Sequence, residues 1–287
     1  MNGWLVVDGE VRVVHPDARR ADFAARTEEP VRQAIYDHPA LPQALRLWGV
    51  DALLESMDRC GIRYGILSGL AWNDRAILAD NNAYVRECLE SHRDRFRGLY
   101  TPDTSDPQRA ADAILGLDER LYAGVEVIPK WQRTHADDPR LDPIVEAVRE
   151  RGFLMKVYTA HPTQTLDGDA PYRTLRFLRR HPEVRTLIPH LGGLLCLYAL
   201  HPPVREALRN AWFVTSVSST MKMVEFAAQV NPDNLVFGTD FPFNHCFDQK
   251  TPLDEMFGLA LPEAARRRIL GGTAAALLGL DDAGQAG

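Results

Sequence analysis

The sequence predicts a single (β/α)8 (TIM) barrel with a loop insertion after its first strand, and three observations support that prediction. Short apolar runs alternate with amphipathic stretches from end to end, a pattern typical of a parallel sheet wrapped by helices. The chain has 287 residues, a length close to the roughly 250 residues of many α/β barrels. No repeat, low-complexity tract or domain boundary interrupts the pattern. We therefore expect one barrel domain over residues 1–280 and a disordered tail over 281–287.

Eight apolar runs supply the predicted strands, and amphipathic segments such as Leu47–Gly61 supply the helices between them. The segment 15–45 is the least regular part of the sequence. Because it follows the first strand, we expect it to lie over the barrel mouth as a lid. The predicted strands are Trp4–Val13, Arg63–Leu70, Phe96–Thr101, Ala123–Pro129, Phe153–Thr159, Thr186–His190, Trp212–Ser218 and Asn234–Asp240.

Composition excludes several classes of protein. The net charge is -6 and no cluster of basic residues stands out, so the chain lacks the electrostatic footprint of a nucleic-acid-binding protein. The four cysteines form no Cys-x-x-Cys pair, which favours reduced thiols over a zinc site or a disulfide framework. Neither a secretory signal nor an apolar stretch of roughly 18 residues is present. We expect a cytoplasmic protein that contacts no membrane and acts on a small molecule.

Strand alternation predicts a charged barrel lumen. If Val7, Gly9, Val11 and Val13 pack outward beneath helices, the residues between them on the first strand point inward. Polar residues facing the lumen near the carboxyl ends of barrel strands are typical of an active site. The same alternation on the other strands completes the predicted set, which comprises Asp8, Glu10, Arg12, Glu126, Lys130, Lys156, Tyr158, His190 and Asp240.

These inward charges include both signs, and two interpretations follow. Burying an isolated ion costs several kcal/mol, so each group must pair or meet a charged ligand. The cations Arg12, Lys130 and Lys156 either bind a substrate carboxylate or neutralise Glu10, Glu126 and Asp240 in an architectural ion-pair network. We favour the substrate site, because aliphatic side chains fill a barrel core without any desolvation penalty.

Four segments in order resemble motifs of the amidohydrolase-related family, the branch that includes small-molecule hydrolases and metal-dependent aromatic-acid decarboxylases. The resemblance covers nearly the whole chain, leaves homo-oligomerisation open, and implies the same barrel. The segments are Asp137–Glu146, which leads into the helix before strand five; His181–Gly193, with His-x-Gly-Gly after strand six; Asn231–Pro242, ending in Gly-Thr-Asp-Phe-Pro; and Leu270–Gly279, with Thr273 where an asparagine is usual.

The resemblance also implies a metal that this chain lacks the ligands to hold. The family binds its metal through His-x-His on strand one, a histidine ending strand five, and the strand-eight aspartate. Here those positions hold Glu10, Arg12, Tyr158 and Asp240. A guanidinium is permanently protonated and cannot coordinate a metal. The metal-independent 2-pyrone-4,6-dicarboxylate lactonases are similar in part, since they also carry tyrosine on strand five. We therefore expect no metal and no other cofactor.

The resemblance assigns catalysis to Asp240 and His190. Asp240 takes a proton from water or substrate, and His190 polarises a carbonyl or transfers the proton. A neighbouring Arg12 would lower the pKa of Asp240 and weaken it as a base. Substrate binding falls to Arg12, Tyr158, Lys156, Glu10, Lys130 and Glu126. Lys156 has a second possible role, forming a Schiff base, which we rank below a salt bridge to Glu10 or Glu126.

Three loop histidines and two serines leave alternatives open. His15, His161 and His245 follow strands one, five and eight, and together with Glu10 they are candidates for an unconventional metal site. Each is more simply an ordinary loop histidine. Ser216 and Ser218 share a face of strand seven and are candidates for hydrogen bonds to substrate.

Together these inferences predict a metal-independent enzyme that hydrolyses a C–O or C–N bond of a small carboxylated substrate. Asp240 would position the water, while His190 and Arg12 would stabilise the oxyanion. The first alternative is a C–C or C–O lyase of the decarboxylase type, in which the lumenal cations hold the carboxylate and His190 or Asp240 supplies a proton. A catalytically inactive, ligand-binding barrel is the alternative from another class.

Overall fold

Eight parallel strands pair in chain order from β1 to β8 and form the wall of a nearly closed barrel. The structure is a computed structural model and describes residues 3–26, 28–37, 41–159, 170–217 and 221–280. Between β8 and β1, Gly9 N donates to Phe237 O and Arg12 N donates to Phe241 O. The predicted (β/α)8 barrel is confirmed. Its strands are β1 (Val7–Arg12), β2 (Tyr64–Ser68), β3 (Phe96–Tyr100), β4 (Tyr122–Val127), β5 (Leu154–Val157), β6 (Thr186–Ile188), β7 (Ala211–Val214) and β8 (Leu235–Val236).

Helices follow the strands and form the outer layer. Asp74 and Asp106 cap the helices after β2 and β3 by accepting hydrogen bonds from first-turn amides, which the free N–H groups of a helix start require. No helix within the described ranges has both the length and the apolar character needed to span a bilayer. The helices are α1 (Leu41–Ala44), α2 (Val50–Cys60), α3 (Arg75–Ser91), α4 (Pro107–Leu115), α5 (Asp142–Glu150), α6 (Pro171–Arg180), α7 (Pro202–Ala207), α8 (Lys222–Val230), α9 (Lys250–Gly258), α10 (Glu263–Arg267) and α11 (Thr273–Leu278).

The barrel interior is apolar at its amino-terminal end and polar at its carboxyl-terminal end. The apolar end is filled by one side chain from each of six strands, packed against Ala274 of α11. Because this plug excludes water from below, the polar groups further along the strands are reached only from the mouth formed by the strand-to-helix loops. The plug residues are Val7, Ile66, Leu99, Leu187, Val214 and Val236.

A register shift in β1 changes which of its residues face the lumen. Val7 pairs with Tyr64 while Arg12 pairs with Ser68, so β1 has one residue more than β2 over the same stretch. An extra residue interrupts the alternation of side chains between the two faces. Val7 therefore joins the apolar plug, and the carboxylate of Asp8 is bound outside the lumenal charge cluster. The prediction that Asp8 lines the lumen is wrong, because it assumed an unbroken alternation.

The insertion after β1 packs on the barrel mouth around its own apolar cluster. Val14, Ile35, Tyr36 and Trp48 are buried together with Trp72 from the loop after β2. The aromatic rings of Tyr36 and Trp48 meet edge to face with centroids 5.6 Å apart, an arrangement that favours aromatic pairs. The insertion therefore lies where the sequence places a lid, with a packed core of its own.

One carboxylate ties this insertion to the loop after β2. Buried Glu29 accepts hydrogen bonds from Asp74 N at 2.6 Å and from both Asn73 N and Asn73 Nδ2 at 2.9 Å. The same Asn73 amide donates to Trp131 O in the loop after β4. Glu29 thus links three segments of the mouth through one set of hydrogen bonds.

Replacing Glu29 by alanine would leave these N–H donors without an acceptor. We expect Glu29→Ala to lower the free energy of local opening of the insertion by about 1–3 kcal/mol, measured as faster amide hydrogen exchange over residues 28–37 and 72–78. Exposed Glu28 uses its backbone carbonyl, which accepts from Arg133, so Glu28→Ala is the matched control and should leave exchange unchanged. Equal exchange in the Glu29→Ala variant and the wild type would contradict this role.

Candidate active site

The lumen contains a cluster of buried charges of both signs, which pair with one another around Arg12. Its guanidinium forms a two-pronged pair with Glu126, with Nη1 2.7 Å from Oε2 and Nη2 2.8 Å from Oε1. Nη2 also lies 3.1 Å from Glu10 Oε1. Such a fork matches the planar geometry of both groups. The side chain of Arg12 is only 2% exposed and those of Glu10 and Glu126 are fully buried, so these ions meet one another and not solvent.

Lys156 neutralises the same two glutamates from the β5 side. Its Nζ lies 2.7 Å from Glu10 Oε1 and 3.0 Å from Glu126 Oε1. Glu126 and Lys156 are register partners on β4 and β5, which places their side chains next to each other on the inner face. A Schiff base requires a neutral, accessible amine, whereas this fully buried ammonium is held between two carboxylates. The geometry therefore disfavours the Schiff-base alternative.

Arg12 has hydrogen-bond partners for all its N–H groups. Besides the glutamates, Nη1 donates to Ser68 Oγ and Gly69 O, both at 3.1 Å, and Nε donates to Asp240 Oδ1 at 3.4 Å. A guanidinium has five N–H donors, and this arrangement engages each of them. A substrate carboxylate could bind Arg12 only by displacing one of these partners. The structure thus favours the network interpretation for Arg12 and Lys156.

The network keeps its carboxylates ionised despite burial. Burial alone would raise the pKa of Glu126, but Arg12 and Lys156 hold that pKa below its ordinary value. Burial likewise opposes ionisation of Glu10, and Lys156 holds its pKa below the ordinary range, helped by His190 and Arg12. Nearby opposite charges favour the charged form of an acid. Among the described residues, three lumenal carboxylates face two cations, so one negative charge of that set remains for the imidazole of His190 to balance.

His190 and Asp240 form the part of the cluster that reaches the mouth. His190 Nε2 lies 3.7 Å from Asp240 Oδ2, and the side chain of Asp240 is 17% exposed. His190 Nδ1 lies 2.8 Å from Thr159 O. A carbonyl only accepts, so Nδ1 carries a proton and Nε2 is the atom that faces Asp240.

The charges around this pair set its protonation state. Burial would lower the pKa of His190, but Asp240 and Glu10 raise it above its ordinary value. Burial would raise the pKa of Asp240, but His190 and Arg12 hold it below its ordinary value. Both shifts favour an imidazolium beside an ionised carboxylate, with Nε2 of His190 facing Asp240.

The side chains of His190 and Asp240 both project from residues with a left-handed backbone conformation. His190 and Asp240 each have a φ of 55°, and Leu191 and Leu194 are also in the left-handed region. Residues other than glycine adopt this region at a cost of order 1–3 kcal/mol, and such strain concentrates at functional sites. His190 N is held by Ser216 Oγ at 3.1 Å, while the Ser216 hydroxyl donates to Glu10 Oε2. Ser216 therefore joins the histidine to the charge network.

An aromatic wall borders the histidine. Tyr158, directly after β5, meets the ring of His190 edge to face at 4.9 Å. Trp131 stacks on Tyr158 with centroids 6.2 Å apart and an interplanar angle of 24°. Trp131 is held in turn by Asn73 through its backbone carbonyl. Flat rings beside a proton donor suit a planar, apolar substrate body.

The remaining predicted residues lie elsewhere. Lys130 is exposed in the turn after β4; the prediction that it points into the lumen is wrong, because the strand ends at Val127 and its alternation ends there. His15 meets Tyr84 edge to face, and His245 is exposed beside Cys246. His161, Ser218 and the tail 281–287 lie outside the described residues.

Sequence analysis missed four residues that shape this site. Ser68 ends β2 on the same face as the lumenal Ile66, so its position at the mouth was readable, but not its partner. Thr159 meets His190 only through its backbone carbonyl, which the alternation of side chains does not predict. Asn73 and Trp131 lie in loops, and nothing in their spacing indicated that they meet. Loop side chains become adjacent only through the fold.

The donors in the lumen do not fit a catalytic metal ion. Glu10 and Asp240 occupy two of the positions that the resemblance assigns to metal ligands, and both are bound to the Arg12 guanidinium. A cation at that place repels a metal ion and occupies the oxygen lone pairs. Among the described residues, no three histidine, cysteine, aspartate or glutamate side chains are grouped to hold a metal.

Comparison with known proteins places the chain in a family. A family model described as amidohydrolase matches residues 32–280. The chain belongs to the amidohydrolase family. No protein with a curated description matches it significantly.

Solved structures of this family share its fold. 5-Carboxyvanillate decarboxylase LigW from Sphingomonas paucimobilis is 18% identical, with a TM-score of 0.79 over 96% of this chain and 99% of that one. The Novosphingobium aromaticivorans 5-carboxyvanillate decarboxylase, complexed with manganese, is also 18% identical, with a TM-score of 0.76 over 97% of each chain. 2,6-Dihydroxybenzoate decarboxylase from Rhizobium is 18% identical, with a TM-score of 0.75 over 97% of this chain and 99% of that one. Likeness at this identity establishes the barrel.

The charge network predicts a large stability difference between two lysine substitutions. We expect Lys156→Met to lower the free energy of unfolding by about 3–5 kcal/mol, because it leaves buried glutamates undercompensated. Lys250→Met, which removes an exposed pair with Asp254, is the matched control and should leave the free energy of unfolding nearly unchanged, because solvent screens exposed ion pairs. Urea denaturation at neutral pH measures both. Equal stability of the two variants would show that Lys156 is not needed to neutralise the lumen.

Proposed function

We propose that this protein is a metal-independent lyase that removes the carboxylate of a small aromatic carboxylic acid as CO2. The observation that carries the proposal is the pair of His190 and Asp240 at the barrel mouth, with Nε2 3.7 Å from Oδ2, where Asp240 and Glu10 raise the pKa of His190 against the effect of burial and so favour its proton-donating form. Decarboxylation needs a proton for the carbon that the carboxylate leaves, and this arrangement supplies one. The decarboxylases with the same fold support this class of reaction, as does the aromatic wall of Trp131 and Tyr158.

Each group has a role in the proposed step. The bond between the ring carbon and the carboxylate breaks and leaves its electron pair on that carbon, which takes the proton from His190 Nε2. CO2 departs, and the neutral imidazole regains a proton from solvent. Asp240 stabilises the imidazolium before transfer and accepts a hydrogen bond from a substrate hydroxyl. Arg12, Lys156, Glu10 and Glu126 keep this pair in its charged state without contacting substrate.

Hydrolysis of a C–O or C–N bond, which the sequence favours, is less well supported. It requires Asp240 to take a proton from water as the bond forms. The lowered pKa of Asp240, opposed by burial but set by His190 and Arg12, makes it a weak base. A histidine that keeps its proton to a higher pH, beside a weak base, suits protonation of carbon better than activation of water. The lyase alternative is therefore the better account of this geometry.

The proposal is tested with a panel of aromatic carboxylic acids that includes 5-carboxyvanillate and 2,6-dihydroxybenzoate, scored by CO2 release. We expect turnover of at least one acid, and a loss of about 10²–10⁴-fold in kcat for His190→Asn and Asp240→Asn, because each removes a member of the acid pair. Exposed His201 provides the matched control, since His201→Asn should retain wild-type turnover.

The pH dependence of the turnover rate follows from the protonation states of His190 and Asp240. The active form has protonated His190 and ionised Asp240, so the rate should stay level between the lowered pKa of Asp240 and the raised pKa of His190. It should then fall as the pH rises through a value above 6.5, the ordinary pKa of histidine. A rate that instead rises through neutral pH, or cleavage of esters and amides without CO2 release, would contradict the lyase. Binding of these acids without turnover by the wild type would identify an inactive barrel.

A further inference from the structure

Asp8 is a buried carboxylate that stands apart from the lumenal charges. It is 0% exposed, and its oxygens accept four hydrogen bonds from uncharged donors. Oδ1 accepts from Glu10 N at 3.1 Å and Thr239 N at 3.0 Å, while Oδ2 accepts from Thr239 Oγ1 at 2.6 Å and Gln249 Nε2 at 2.8 Å. Burial raises its pKa to about 6, in spite of these hydrogen bonds.

The hydrogen bonds of Asp8 hold the residues on both sides of Asp240. Thr239 is bound directly, through both its amide and its hydroxyl. The same hydroxyl accepts from Phe241 N at 3.2 Å. Asp240 lies between these two residues with a φ of 55°, a conformation that the flanking residues must enforce.

A buried aspartate at position 8 lowers the stability of the fold relative to a neutral side chain of the same shape. A buried carboxylate without a cation carries a desolvation penalty that a neutral side chain avoids. Asparagine has the same shape and keeps one carbonyl oxygen for the two backbone amides. Its amide would face Gln249, whose Oε1 has no hydrogen-bond partner in the described part of the chain. Asp8 lowers stability and yet aligns the strained turn at Asp240, and this combination indicates a functional constraint.

We propose that Asp8 is a positioning residue for Asp240 and acts through Thr239. It fixes the left-handed turn so that Asp240 Oδ2 stays 3.7 Å from His190 Nε2 and faces the mouth. The consequence for turnover rests on the proposed function, whereas the consequence for the geometry of Asp240 and His190 does not.

Thr239 offers the cleanest test, because valine has its shape and lacks only the hydroxyl. We expect Thr239→Val to lower kcat about 10²-fold, the effect of a displacement of order 1 Å in a catalytic group, with KM nearly unchanged. Thr239→Ser keeps the hydroxyl and should restore kcat to near the wild-type value. Asp8→Asn should also lower kcat, and the Asp8→Asn, Thr239→Val double variant should be no slower than the slower single variant, because the two residues act as one unit.

NMR titration of His190 tests the geometry without any substrate. In Thr239→Val the pKa of His190 should move down toward its ordinary value of 6.5, because Asp240 no longer holds the imidazolium; in Thr239→Ser it should match the wild type. If the wild type shows no turnover but the titrations differ in this way, the proposed function fails and the positioning role stands. Identical titrations in Thr239→Val and the wild type, or additive losses of kcat in the double variant, would overturn the positioning role.

Discussion

The forked pair between Arg12 and Glu126 is the interaction on which the rest of the site depends. It brings a permanent cation into the middle of the lumen, and a buried cation is tolerable only if carboxylates surround it. Glu10 and Asp240 complete that surrounding, and Lys156 offsets the excess of negative charge. Burial would lower the pKa of His190, but Asp240 and Glu10 raise it. Arg12 thus holds in place the two carboxylates that favour the protonated form of a histidine at the mouth.

The same interaction separates this chain from relatives that share its fold. In a metal-dependent site, oxygen and nitrogen ligands leave lone pairs for the ion. Here the carboxylates at the corresponding positions, Glu10 and Asp240, accept hydrogen bonds from Arg12, and Glu10 is also ion-paired with Lys156. Positive charge is still present in the lumen, but it is fixed in the protein and fully paired. It therefore does not offer substrate the open position of a metal site, and we propose that the reactive groups are the two that border the network, His190 and Asp240.

Most of this arrangement was predictable from alternation along the strands, and the failures have physical causes. Glu10, Arg12, Glu126 and Lys156 were placed in the lumen because polar and apolar residues alternate on β1, β4 and β5. Asp8 was misplaced because one extra residue in β1 interrupts that alternation, and no sequence pattern marks the shift. Lys130 was misplaced because alternation was continued past the end of a strand. Two features depend on contacts between segments far apart in sequence, which spacing cannot show. They are the hydrogen bonds from Arg12 to Ser68 and Gly69, and the aromatic wall formed by Trp131 and Tyr158.

If the guanidinium of Arg12 takes the place that a metal ion has in the manganese-containing decarboxylase of the same fold, the purified protein should hold no divalent metal, and metal analysis measures this. The protein is dialysed against a chelator, and its bound divalent metal and thermal midpoint are measured before and after dialysis and again after manganese or zinc is added. We expect less than stoichiometric metal throughout and a thermal midpoint that neither treatment changes, because Arg12 occupies the place of the ion. One tightly bound manganese or zinc ion per chain, whose removal lowers the midpoint and whose return restores it, would contradict the account.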